Sequence, residues 1–479
     1  MLKVNGRFKR TGLCLVTLLV CLSSFSGIQA PAYAQGGIDW VCHTVDYQFW
    51  VGQYTSLAFG TGPAISYFDT TNENLKLAYD RNNDGDFNDI GEIIVVDEGD
   101  YNVGKYTSLA FGSGPAISYY DAQKGDLKFA YDRNDDGDFD DPGEIIVVDN
   151  GENDVGRYTS LAFGSGPAIS YYDATNGSLK LAYDRNNDGD FDDTGEIITV
   201  DDSARRVGWY TSLAFGTGPA ISYYDATNGD LKFAYDRNND GDFDDTDEII
   251  TVDNFSLVGE YTSLAFGSGP AISYYDVTNG NLKLAYDRNN DGDFDDTGEI
   301  ITVDNSARRV GWDTSLAFGT GPAISYYDRS NYNLKFAYDW NNDGDFNDTG
   351  EIITVDSAGQ VGGYTSLAFD KAPAISYCDT GNGDLKFVRY ASSQTWRFFT
   401  AGFFPEHLHD SYQGQIVLAD LNPSTIPPEV QGVWWYDGPA QVYRFWVPGV
   451  GGDLTTLTGQ FYNYQVLVTG PCEWEIPLP

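Results

Sequence analysis

The chain has 479 residues, 5 cysteines and a formal net charge of −43. A negative surplus of that size argues against nucleic acid and anionic membranes as partners, because both are held by a basic face. The length leaves room for more than one domain, and so few cysteines do not make a disulfide scaffold.

The chain opens with Lys3, Arg7, Lys9 and Arg10, followed by an apolar run from Leu13 to Val20 that continues weakly to Ile28. "APAYAQ" then places Ala32 and Ala34 at the small positions of a signal-peptidase site, so residues 1–34 read as a secretory signal. A membrane anchor is the alternative, for which the run is short. No later segment is apolar enough to span a bilayer, so the mature chain is expected to be secreted or on the cell surface, without a transmembrane segment. Removing the signal takes away four positive charges and no negative one, leaving −47 and three cysteines, Cys42, Cys378 and Cys472.

From Val51 onward the pair Val-Gly recurs at Val103, Val155, Val207, Val258, Val310 and Val361, a period of 51 or 52 residues. Each unit holds four short runs with strand character. In the third unit "TSLAF" and "AISYYD" are separated by a Gly-Pro-containing turn, "ATNGS" then leads to "LKLAYD", and an acidic segment precedes "EIITVD". Four strands per unit of about fifty residues is the pattern of a propeller blade. The seventh unit ends at Tyr390 without the acidic segment or a fourth strand, while "HTVD" after the signal aligns with the "ITVD" of the full units. The expected fold is therefore an all-β, seven-bladed β-propeller over residues 35–390, closed by an N-terminal strand. Residues 391–479, with "VWWYDGPAQVYRFWVPG", read as a small separate β-rich module.

Oxygen-bearing residues stand at positions one, three, five, seven and nine of six acidic loops, with Gly at six. They are Asp80, Asn82, Asp84, Asp86 and Asn88 in the first loop, and Asp132, Asn134, Asp136, Asp138 and Asp140 in the second. The third has Asp184, Asn186, Asp188, Asp190 and Asp192, and the fourth Asp236, Asn238, Asp240, Asp242 and Asp244. The fifth has Asp287, Asn289, Asp291, Asp293 and Asp295, and the sixth Asp339, Asn341, Asp343, Asp345 and Asn347. Counted to the Glu twelve residues after the first Asp, the loops carry −31 in total. Ca²⁺ takes six to eight oxygens in a flexible shell, whereas Mg²⁺ demands a strict octahedron, so up to six Ca²⁺ ions are expected. Solvated acidic hairpins without metal are the alternative.

"DRNNDGDFD" resembles the D-x-[DN]-x-D-G-x-x-D loop of integrin-type (FG-GAP) β-propellers. That resemblance implies side-chain ligands at positions one, three, five and nine, a backbone carbonyl at seven, and weaker sites where Asn88 and Asn347 hold the ninth place. The units also resemble the "SLAL…G.P.ISYYD…LKYA" repeats of secreted bacterial proteins. The C-terminal segment resembles an aromatic-rich module of bacterial surface proteins.

The connectors between units vary while the strands do not. Arg205, Arg206 and Trp209, and likewise Arg308, Arg309 and Trp312, are therefore candidate ligand-binding residues, with the two Trp held equally as blade-edge packing. Tyr171, Tyr172 and Asp173 of each second strand could form repeated sugar sites or pack between blades. Glu406, His407, His409 and Asp410 offer a weak zinc pattern without a clear third ligand. The arginine cluster and Asp-box of a sialidase are absent. The function expected is a non-catalytic binding or scaffold module for an extracellular protein or glycan. A multivalent lectin is the alternative, and a glycoside-acting enzyme a more distant one.

Overall fold

The computed structural model describes residues 40–390 apart from Phe49, Asp100, Glu152 and Asn153, together with the backbone of short strands between Phe398 and Val468. The signal segment and the Glu406–Asp410 stretch lie outside the described residues. Residues 32–391 form one compact unit. In the remainder, an antiparallel five-stranded sheet is built around Val430–Asp437, and Gln415–Val417 pairs with Thr456–Thr458.

Seven four-stranded antiparallel sheets make up the first unit. In the third blade the strands are Val155–Phe163, Pro167–Asp173, Ser178–Tyr183 and Ile197–Asp201, each paired with its neighbour in sequence. The second strand is buried at every position, because both faces of its sheet are covered by adjacent blades; hence the unbroken apolar run instead of an in-out alternation. The recurrent Val-Gly marks a close approach: Gly156 has φ +101°, and a Cβ there would lie 2.7 Å from Leu127 Cα of the preceding blade.

The seventh blade is completed by Trp40–Asp46, which pairs antiparallel with Asp384–Tyr390 from Trp40↔Tyr390 to Asp46↔Leu385. The alignment of "HTVD" with "ITVD" predicts this closure.

Polar contacts join each blade to the next. The last Asp of every fourth strand accepts from a Tyr and a Lys of the following blade. Asp149 Oδ2 takes Tyr171 Oη at 2.6 Å and Lys180 Nζ at 2.6 Å. Asp46 does the same for the first blade, with Tyr67 at 2.7 Å and Lys76 at 2.8 Å. Tyr171 and its equivalents are fully buried, so the packing reading of these tyrosines holds and they offer no sugar platform. Burial alone would push the Asp149 carboxyl up, but Lys180 and Tyr171 outweigh it and hold the group below its usual range. The first strands add a second set: Ser170 Oγ meets Thr211 Oγ1 at 2.7 Å, and Leu213 N donates to Ser160 Oγ at 3.0 Å. Cys42 and Cys378 are both free, and His43 is half-buried in the closing strand.

Asp149→Asn is expected to lower stability by about 2–3 kcal/mol in denaturant unfolding, since it strands a Lys and a Tyr at a desolvated junction. Because the carboxyl is held low, its contribution is present at neutral pH and lost as acid titrates the folded group. Asp46→Asn should cost as much, because the closing junction has the same chemistry. Deleting Trp40–Asp46 should abolish cooperative unfolding; a truncated chain that melts like the parent would contradict the closure.

Candidate metal centres

The six acidic loops join third to fourth strands, at the same end of the ring as the turns between first and second strands. A Cβ on Gly166 of such a turn would lie 2.1 Å from Asp184 O. The connectors occupy the other end, where a Cβ on Gly177 of the hairpin would lie 1.9 Å from Arg205 O.

Each loop coils around the carboxylate at position one. In the third loop Asp184, fully buried, accepts from Asp188 N at 3.2 Å and Gly189 N at 3.1 Å. Position four takes a left-handed conformation, φ 55° at Asn187, and the glycine follows at φ 112°; Asn or Asp tolerates the first and Gly the second. Asn186 Nδ2 bridges Asp188 Oδ2 and Asp193 Oδ2 at 2.9 and 2.8 Å. Asp192, at position nine, lies beside Asp190, whose charge raises its carboxyl. The side chains of positions three, five and ten are thus drawn together, and position nine is paired with seven.

Sequence reasoning missed the thirteenth position. In the second loop one carboxylate oxygen from each of Asp132, Asp136 and Glu144 lies within 4.8 Å of the others. Glu144 is buried and its Oε2 accepts from Asp141 N at 3.1 Å. Its equivalents Glu92, Glu196, Glu248, Glu299 and Glu351 are buried too. In the sixth loop Glu351 Oε1 has no hydrogen-bond partner, and burial, with Asp339, Asp348 and Asp343 around it, pushes the carboxyl up to about 7. An orphaned, buried carboxylate oxygen beside further carboxylates is a donor set that fits a hard divalent cation. The available signal was the Glu that opens "EIITVD" and its counterparts, which looks like the start of a strand.

The arginine at position two links one loop to the next. Arg81 Nη2 lies 3.2 Å from Asp132 Oδ2 and its Nη1 2.9 Å from Asp135 Oδ1. Arg288 reaches Asp339 at 3.4 Å, and Arg237 donates to Gly292 O at 2.7 Å. The sixth loop has Trp340 at this position, and the blade after it carries no acidic loop.

At the connector end, Arg205, Arg206, Arg308 and Arg309 are exposed. Arg206 O and Arg309 O accept from the hairpin amides Ala226 N and Arg329 N. Trp209 is half-buried between Tyr158 and Tyr172, both at 6.0 Å; Trp312 takes the same place against Tyr261 and Tyr275, at 5.3 and 5.8 Å. Neither indole N–H has a partner. The two Trp therefore pack between blades, against tyrosines.

No protein-family description and no curated protein matches the chain. Among solved structures, virginiamycin B lyase from Staphylococcus aureus is similar over 73% of this chain and 99% of its own, at 11% identity and a TM-score of 0.47. A streptogramin B lyase is similar over 73% and 98%, at 10% identity and a TM-score of 0.49. An auxiliary nutrient binding protein from Bacteroides thetaiotaomicron is similar over 74% and 76%, at 9% identity and a TM-score of 0.37. At this distance the likeness carries no chemistry across.

The raised Glu351 carboxyl fixes a sign. Its folded state holds the proton to about 7 against an ordinary 4.5, so in metal-free protein its contribution falls as pH rises through that window. Glu351→Gln should flatten this slope and stabilise chelator-treated protein at pH 8 by about 1–3 kcal/mol. Unchanged unfolding curves between pH 4.5 and 8 would count against a strained metal-free loop.

Proposed function

We propose that this chain is a secreted, calcium-stabilised propeller that works as a non-catalytic binding or scaffold module for an extracellular protein or glycan. The observation that carries the calcium reading is the convergence of carboxylates from positions one, five and thirteen in the second loop, the first and last of them buried, together with the unpartnered oxygen of the buried position-thirteen Glu351 in the sixth. A divalent ion would satisfy that oxygen and offset the burial and neighbouring Asp charges that together raise the Glu carboxyls. The FG-GAP resemblance of "DRNNDGDFD" supports the same ion, with Glu at thirteen added to the ligands and position nine turned toward seven.

The binding role rests on the contrast between near-identical strands and variable connectors. Burial of Tyr171 and its equivalents removes the repeated platforms that a multivalent lectin would use, so a partner is expected at the connector end, near Arg205, Arg206, Arg308 and Arg309.

Calorimetric titration of chelator-stripped protein should show about six equivalents of Ca²⁺, with Mg²⁺ far weaker, and binding at the sixth loop near pH 6.5 should release a proton as the Glu351 carboxyl ionises. One site at a hundred times its dissociation constant stabilises by about 2.7 kcal/mol, so the melting temperature should rise steeply with calcium. Asp184→Ala with Asp188→Ala should remove one equivalent. No heat and no shift in melting would leave the loops as solvated hairpins.

A further inference from the structure

The first strands of the seven blades stand side by side around the axis, tied by their serine hydroxyls. Each bulges three residues after the recurrent Val, at a residue that takes φ between 49° and 57°, a conformation that bulky side chains rarely adopt. Six of these residues are tyrosines, at 54, 106, 158, 210, 261 and 364. Neighbouring rings stand 4.6–4.9 Å apart, tilted by 42–55°, close to one-seventh of a turn. They form a half-exposed collar around the axis. The sixth blade breaks it: "VGWDTSLAF" puts Asp313 where the others have Tyr.

Asp313 Oδ2 accepts from Tyr364 N at 2.9 Å. Burial pushes its carboxyl up to about 6, against the pull of that amide and of Arg329. Among the described residues no ion pair reaches it; Arg329 lies instead over the Trp312 ring at 4.0 Å. The phenols of Tyr54, Tyr210, Tyr261 and Tyr364 all feel its charge.

A second tier covers the collar. In four blades the residue before the collar position reaches back over the preceding blade: Lys105 over Phe68, Arg157 over Tyr120, Trp209 against Tyr158 and Tyr172, Trp312 against Tyr261 and Tyr275. In the seventh blade this residue is Gly363. The one carboxylate of the collar therefore lies under the one position of the tier that has no side chain.

We propose that Asp313, half-buried, with the side-chain-less Gly363 at the tier position above it and the phenols of Tyr261 and Tyr364 on either side, is a binding site for the primary ammonium group of an alkylamine. The carboxylate supplies the counter-charge, phenol oxygens accept the remaining N–H groups, and aromatic faces favour a cation with an apolar tail. The negative charge of the whole chain raises the local concentration of such a ligand. This deepens the binding-module reading, and it is independent of the calcium loops, which the calcium titration tests by themselves.

The test is titration of calcium-saturated protein with n-butylammonium chloride at pH 8, followed by calorimetry and tyrosine fluorescence, with tetramethylammonium and potassium chlorides as comparison arms. Saturable binding of butylammonium, at least tenfold tighter than either comparison cation, is expected. Asp313→Tyr installs the residue that six blades already carry, so it should fold and melt at or above the parent temperature while losing binding at least tenfold. Gly363→Trp, which repeats the side chain that Trp209 and Trp312 place at the equivalent position, should block the site without touching the charge. No butylammonium binding, equal binding by Asp313→Tyr, or equal affinity for potassium would overturn the proposal.

Discussion

The fold depends on one repeated contact, a carboxylate at the end of one blade clasped by a tyrosine hydroxyl and a lysine ammonium of the next. Apolar packing between twisted sheets has little preference for register, because dispersion is non-directional. The Asp–Tyr–Lys junction has one geometry, and it recurs at Asp46, Asp97, Asp149, Asp201, Asp253, Asp304 and Asp356. It sets the angle at which one sheet follows another, and so lets the seventh meet the first. From Asp97 to Asp356 the junction carboxyls are held below their usual range despite burial, which ties those six junctions to neutral pH.

The two ends of the ring do different work. The acidic loops are chemically uniform and linked to one another by arginine, which suits a structural rim. The connectors and the tier beside the axis are where the blades differ: Lys105, Arg157, Trp209, Glu260, Trp312 and Gly363 occupy equivalent places in successive blades. Uniform residues hold the frame, and departures from uniformity give the frame a distinct face.

Much of this was legible in the sequence, for particular reasons. Val-Gly repeats because a neighbouring backbone leaves no room for a Cβ, and the unpaired third strand ending at Tyr390 has its complement in "HTVD". The junction was not legible, since Asp149 meets Tyr171 and Lys180 at separations of 22 and 31 residues across a blade boundary, and each residue type alone is unremarkable on a strand. Glu196 was missed because a nine-residue motif stops short of it. Asp313 is visible as a single departure from the repeat, but its meaning depends on knowing that the bulged position faces the axis.

The closing strand has a consequence for how the chain reaches its native state. Trp40–Asp46 is made first, yet its partner, Asp384–Tyr390, is made more than three hundred residues later. In the interval six nearly identical third strands emerge, any of which could pair with it. Each of those is followed within a short loop by its own fourth strand, and local pairing outruns distant pairing because loop closure is cheaper. By the time the last blade forms, its third strand is the one still lacking a neighbour. Correct closure thus requires no distinctive recognition sequence; it follows from elimination, and the near-identity of the blades does not endanger it.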